Sequence, residues 1–538
     1  MHEFFLKGTM DRLNISKVID MFHTITPYGN RIKSTLQPYK VEEIELLMAE
    51  LQELEKAIAF IHEIPRGLIQ EVKDMLMQVP VIDLEIDYLE GKATLGSPMF
   101  FNLAKFLFIA ARLGQKMQSV KWWNCSNLQW NFHENLYSLL HIRDSYSFYI
   151  GDFGDKKYQN LVKELQKLES ELNQVANLQE RRLLQELDLM EKDFFEGTLT
   201  VSKRDKGLID KLLTEPSLQV SKESFASVTF QRIKTLEELK LENKVSQVKA
   251  ELSVLESMIL DTLSEKTRQF LPYLKDLVDK IGRFDWLLAK AVFAVNYKAT
   301  VAKVNLKEKK LSITGGIHPV VGAELQKMGN VFTPLSIELG QGVAVLTGAN
   351  MGGKTVTLKT VGLLLAMVQM GLPVTAESVE FAPFEFMFLS ETEERDMVGL
   401  SSFGAEIQAL NEILRLKNKW GLVLLDELAR GTNPAEGAAL ARALLDTFQD
   451  SSCCVLVTTH FDGLTRDERL IHWQVKGLKN LHDLPCVDDI YKNFDYGLEI
   501  VSSSDTVPRD ALKVASLIGM DGRILQLARQ YLQSSEEV

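Results

Sequence analysis

At 538 residues, with 46% hydrophobic and 25% charged positions, the chain is too long for one ordinary core and has the balance of a soluble, multidomain protein. Its formal net charge is −12, with 18 basic and 29 acidic residues from Leu311 onward against 43 and 44 in Met1–Lys310. Neither part is the strongly basic domain of a generic duplex-DNA binder, although a local basic stripe fits inside a neutral average.

The opening residues, MHEFFLKGTMDRL, turn polar within seven positions, so no secretory leader is expected. The first 144 residues then read as mostly helical. Val41–Ile61 (VEEIELLMAELQELEKAIAFI) sets apolar residues at helical spacing between charges, and TPYGN and LEGKATLGSP mark turns. Two heptad-like runs follow: Leu161, Leu165, Leu168, Leu172 and Val175, then Leu241, Val245, Val248, Leu252, Leu255 and Ile259. Steps of four and three place a narrow apolar seam on each of two long helices, predicting a coiled-coil hairpin. Between them, Glu196–Phe230 reads as a less regular insert that includes the hairpin tip. Lys203, Arg204, Lys206, Lys211 and Lys222 there, with Arg232 just beyond, form either a DNA-touching tip or a solvated loop face.

The texture changes near Thr300–Leu311. Short β-rich runs (LSITGG, GVAVLTG, LVLLDE, CCVLVTTH) alternate with helical stretches such as GAALARALLDTF, which predicts a mainly parallel α/β sheet. The longest apolar run, Val361–Val374, is too short for a bilayer and is broken by Gln369, so no membrane is expected. Cys125, Cys453, Cys454 and Cys486 lack metal-ligand spacing and are too few for a disulfide framework, which points to a reducing, cytoplasmic compartment.

The chemistry concentrates in this second part. Gly348, Ala349, Asn350, Met351, Gly352, Gly353, Lys354 and Thr355 match a phosphate loop, with a strand before and a helix after. The glycines let backbone N–H groups turn around phosphate oxygens at the positive end of the helix. Lys354 would reach the β- and γ-phosphates, and the Thr355 hydroxyl would ligate Mg²⁺. LVLLDELARGTNPAEG is a buried strand ending in two carboxylates. Asp426 suits the Mg²⁺ shell, and Glu427 suits polarising the attacking water. CCVLVTTH is a second buried strand, ending at His460, which reads either as a structural histidine or as a γ-phosphate sensor. GLSSFGAEI, taken alone, is a polar turn opening a helix with Ser401 or Ser402 as its cap.

Taken together, TGANMGGKT, LSSFGAE, LLDELARGT and TTH closely resemble the ATPase domain of MutS proteins, a branch of the ABC ATPases. The resemblance is strong over Leu311–Val538 and weaker over the helical first part, where MutS proteins carry a core and lever with long helices running to a DNA clamp. It implies a multidomain fold: an all-α helical core or lever with long coiled arms, followed by an α/β P-loop (ABC-type) ATPase domain. The expected division is 1–150 and 266–305 for the helical core, 151–265 for the arms, 306–505 for the ATPase and 506–538 for a helical dimerisation segment. It also implies ATP and Mg²⁺ as cofactors, a homodimer, and Ser401 and Ser402 acting on the γ-phosphate held by the opposite subunit.

Phe332 is a weak candidate for stacking on adenine, with core packing the better reading. The tail Asp510–Leu532 is similar to the MutS dimerisation helices, or is an ordinary terminal helix. The spellings look most like the branch without the mismatch-reading domain, the first residues hold no Phe-x-Glu wedge, and a nuclease-like carboxy-terminal domain is expected to be missing. What the arms hold stays open between DNA, branched or duplex, and a protein partner remodelled by the ATPase.

Overall fold

The computed structural model describes residues 4–118, 120, 122–123, 126–142, 146–189, 194–195, 197–348, 353–390, 402–428, 433–459, 467–478, 494–501, 512, 515–516 and 519–536. The chain forms two compact units, one from 79–112 and 131–277, the other from 1–78, 113–130 and 278–538. No described helix is long and apolar enough to cross a membrane.

The unit built on 79–112 and 131–277 is dominated by two long helices, α1 (Lys156–Leu187), followed by strands β1 (Phe194–Phe195), β2 (Thr198–Ser202), β3 (Leu218–Glu223) and β4 (Ser227–Arg232), and then α2 (Leu236–Arg268). Each helix starts on a side-chain cap. The Asp155 carboxylate accepts from the Tyr158 N–H, and Thr235 and Glu238 form a reciprocal capping box. The helices run antiparallel. Tyr158 Oη donates to Glu256 at 3.0 Å, Lys249 pairs with Glu169 at 2.8 Å, and Leu161, Leu165 and Leu168 pack with Val248, Leu252 and Leu255.

The insert between them is more regular than its sequence suggests. Strands in the order β1-β2-β4-β3 make an antiparallel sheet. Period-two alternation in TLTVS and SVTFQR turns Leu199, Val201, Val228 and Phe230 to one face, against Leu212 and the α1 residues Leu183, Leu184 and Leu187. Arg232 and Glu238 close this unit with a salt bridge whose side chains are only 9% and 2% exposed.

The other unit contains the α/β domain, within which two sheets enclose a helix. One sheet holds β5 (Lys303–Val304), β6 (Lys310–Gly316), β7 (Leu335–Gly340) and β9 (Ser378–Phe381), in the order β5-β9-β6-β7. The larger holds β8 (Gly342–Thr347), β10 (Phe386–Ser390), β11 (Gly421–Leu425), β12 (Cys454–Thr458), β13 (Ile471–Leu478) and β14 (Phe494–Ile500), in the order β10-β11-β12-β8-β13-β14. All neighbours in it are parallel except β13 and β14.

The central strands read as unbroken apolar runs because both their faces are covered. Ala344, Leu346, Leu422, Leu424 and Leu456 face α3 (Lys354–Gln369). Val343, Val345, Val423, Leu425, Val455 and Val457 face α4 (Ser402–Leu414) and α5 (Pro434–Gln449). A helix α6 (Gly522–Glu536) is the last described element.

Candidate functional site

Parallel strands bring their carboxyl ends to one edge of a sheet, and ligands of open α/β sheets bind there. Here β8, β12 and β11 are consecutive neighbours, so the residues that follow them converge. After β8, Gly348 takes φ 149° and Gly353 φ 79°, angles that disfavour any side chain. Space imposes the same choice. A Cβ on Gly348 would meet Val475 at 3.0 Å, and one on Gly353 would meet the Tyr496 ring at 3.0 Å. Gly353 then leads directly into α3, whose first two residues are Lys354 and Thr355.

Lys354 is only 6% exposed, and its Nζ donates to the Gly348 carbonyl at 2.8 Å, folding the side chain back over the loop. Burial lowers its pKa from the ordinary lysine value, against the opposing pull of the Glu427 and Asp426 charges. Thr355 Oγ1 donates to Asp426 Oδ2 at 2.7 Å. The other carboxylate oxygen accepts from Thr458 Oγ1, also at 2.7 Å, and that hydroxyl in turn accepts the Glu427 N–H at 2.7 Å.

Thr458, at the end of the intervening strand, therefore ties both acidic residues to the sheet. Glu427 itself sits at φ 50°, a left-handed conformation that costs a non-glycine residue about 1 kcal/mol and is held only where the surroundings enforce it. A hydroxyl and a carboxylate oxygen side by side are the hard donors that Mg²⁺ takes, so this pair fits that ion.

Several candidate residues are not brought into view. Ala349, Asn350, Met351, Gly352, Ser401 and His460 lie outside the described residues, as does the side chain of Ser402, which opens α4. Phe332 is half-buried ahead of β7 and packs beside Gly322. Residues that the sequence reading passed over also line the site. Tyr496 on β14 packs on Gly353, and His472 on β13 shares a 2.7 Å hydrogen bond with Thr347 at the end of β8. Neither lies in a recognisable motif. The aromatic in the alternating run FDYGLEI was the available signal for Tyr496.

Residues 344–536 match the family model described as MutS domain V. The second part of the chain thus carries a MutS domain V. The chain is 30% identical over 309 residues to Endonuclease MutS2 of Fusobacterium nucleatum, covering 57% of the chain and 38% of that protein. It is 27% identical over 377 residues to Endonuclease MutS2 of Caldanaerobacter subterraneus, 68% and 44% of the two lengths. Against Endonuclease MutS2 of Shouchella clausii it is 36% identical over 228 residues, 42% and 28%. The matches thus span less than half the length of these relatives. A MutS-type ATPase domain implies ATP as ligand, with Mg²⁺ as the usual companion ion.

Proposed function

We propose that the chain binds and hydrolyses ATP at this site, and that it works as a homodimer whose closure on ATP changes what its long helices hold. One observation carries the reading: Thr355 from the loop helix and Asp426 from a neighbouring strand share a 2.7 Å contact, with Lys354 folded over the loop beside them. In this reading Gly348–Thr355 cradle the phosphates and Lys354 neutralises the β- and γ-oxygens. Thr355 and Asp426 hold Mg²⁺, which supplies charge neutralisation of the phosphates when bound.

Glu427 orients and polarises the attacking water, and its backbone is kept in place by Thr458. His460 serves as γ-phosphate sensor, and Ser401 and Ser402 complete the site of the opposite subunit. The dimer reading has support from α6, where Ile524, Leu527 and Tyr531 are 55%, 43% and 70% exposed along one stripe. Coupling then requires a partner that binds the two nucleotide states with different affinity.

Steady-state hydrolysis with light scattering tests the core of this reading. Glu427→Gln should lose nearly all turnover yet accumulate an ATP-bound dimer, and full turnover in that variant would mean the water is oriented elsewhere. For the partner we favour DNA, duplex or branched, as MutS kinship suggests. Binding should weaken steeply as salt rises, and ATP turnover should respond to DNA. A flat salt response with no stimulation would favour the second reading, a remodelled protein partner. The cations of the insert lend that alternative some support, because Lys203 is paired with Glu223 and Arg232 with Glu238.

A further inference from the structure

Three described elements carry the candidate site: α3 with Lys354 and Thr355, β11 running into Asp426 and Glu427, and α4 starting at Ser402. A stretch more than 300 residues away in sequence, Phe4–Leu13, touches all three or their immediate supports. Phe5 bridges Met387 in parallel, so this stretch lies along β10, the edge strand next to β11. Met387 donates its N–H to Phe4 at 2.7 Å and accepts from Leu6 N–H at 3.0 Å.

Two residues further along, side chains take over from backbone. The Leu389 N–H donates to Thr9 Oγ1 at 3.1 Å, and Arg12 Nη1 donates to the Leu389 carbonyl at 2.7 Å. Thr9 is itself fixed by donating to the Leu6 carbonyl. Lys7 pairs with Glu412 of α4 at 2.7 Å, and the fully buried Leu13 packs on Gly362 of α3.

Peptide groups alternate along a strand. Met387 and Leu389 therefore turn theirs outward to the amino-terminal stretch, while Ser390 turns its carbonyl inward and accepts the Asp426 N–H at 3.1 Å. The last outward-facing peptide of β10 is thus held by Thr9 and Arg12 at the point where the next inward-facing one holds Asp426. Without them the strand end has a solvent-facing edge, and such ends open locally far more readily than the core.

We propose that Phe4–Leu13 is a built-in brace of the nucleotide site, and that Thr9 and Arg12 are positioning residues for Asp426, acting through Leu389 and Ser390. The inference rests on reading Asp426 as the Mg²⁺-shell carboxylate.

The test uses the full chain with Arg12→Ala, Arg12→Lys and Thr9→Val. Amide hydrogen exchange at Leu389 and Asp426 reads the strand end without any nucleotide. Mn²⁺ titration followed by electron paramagnetic resonance, with a non-hydrolysable ATP analogue present, reads the metal shell. Nucleotide binding in EDTA and thermal melting serve as controls. Arg12→Ala should speed Asp426 exchange and weaken Mn²⁺ binding by roughly tenfold each, the scale of losing one charged hydrogen bond. Binding in EDTA should not move, and Arg12→Lys should recover most of the loss by keeping a cationic donor.

Thr9→Val, which keeps side-chain shape while removing the acceptor, should act in the same direction and carries the comparison should Arg12→Ala melt early. A folded Arg12→Ala or Thr9→Val with wild-type exchange and Mn²⁺ affinity would overturn the brace alone. A wild-type chain that binds no Mn²⁺ with nucleotide would overturn the assignment of Asp426 as well.

Discussion

Replacing Gly362 by alanine sets two calculable effects against each other. Gly362 lies in the middle of α3, where alanine is ordinarily the better helix former by about 1 kcal/mol. A Cβ at this position would lie 2.6 Å from Leu424 Cδ1 and 2.9 Å from Leu13 Cδ2. Methyl ends usually swing aside, but both leucines are 0% exposed and belong to the same packed cluster. Forcing one extra methyl into such a core costs about 1–3 kcal/mol. The clash outweighs the helix gain, and Gly362→Ala should destabilise by about 1 kcal/mol.

Gly67, in the first turn of the helix Arg66–Met77, has no described atom within 4 Å of the same added atom, so Gly67→Ala should instead stabilise, by about 0.5 kcal/mol. The chain allows a clean assay. All six tryptophans, at 122, 123, 130, 286, 420 and 473, belong to the unit that contains both glycines. Tryptophan fluorescence in a urea titration therefore follows that unit alone. The midpoint should fall for Gly362→Ala and rise for Gly67→Ala. A rise of equal size in both would refute the packing argument, because it would mean that Leu13 and Leu424 have room to yield.

Three further outcomes follow from particular groups. Burial, and then the Lys359 charge, hold His318 at about 4 instead of 6.5. The unfolded chain therefore takes up the proton first as pH falls, and stability is lost between about pH 6.5 and 4, by roughly 2 kcal/mol from pH 7.5 to 5. His318→Asn, which can still cap the helix at Val321, should flatten that limb of the tryptophan-monitored urea midpoints, and an unchanged slope would contradict the assignment. Glu238 is held at about 2, chiefly by its hydrogen bond from Arg232. Its contribution is complete above about pH 4.5 and is lost as pH falls towards 2. Glu238→Gln should remove roughly 2–3 kcal/mol at pH 7, seen as faster amide exchange in β4 and the first turn of α2. Gly353→Ala must accept φ 79° and displace Tyr496, so the urea midpoint should fall by the equivalent of about 1 kcal/mol and nucleotide affinity should drop with it.

Much of the α/β architecture could be read in advance, for a physical reason. β8, β11 and β12 are buried on both faces, so nearly every residue in them is apolar, and each run ends where polar residues meet the sheet edge. Spacing also brought out Lys354, Thr355, Asp426 and Glu427, because a strand-loop-helix turn and a strand-end acid pair are local features. Thr458 is different. Its importance lies in a hydroxyl placed between Asp426 and the Glu427 N–H, a contact across more than thirty residues that no periodicity announces. The antiparallel sheet between α1 and α2 was not read, although TLTVS and SVTFQR alternate, because lysines and serines break up the apolar pattern around them.

The edge position of Phe4–Leu6 has a practical consequence for anyone who cuts this chain. A fragment beginning near Leu311 looks like a self-contained cassette by motif content. Losing the first residues would strip β10 of its outer neighbour and leave the Met387 and Leu389 peptide groups bare, on a strand whose side chains from Phe386 to Leu389 are all apolar. Exposed, flat and apolar strand edges recruit other strands. Such a fragment is expected to self-associate through this edge, and its oligomers would say nothing about the native assembly. A soluble ATPase fragment would need the amino-terminal decapeptide returned to it, tethered or supplied in trans.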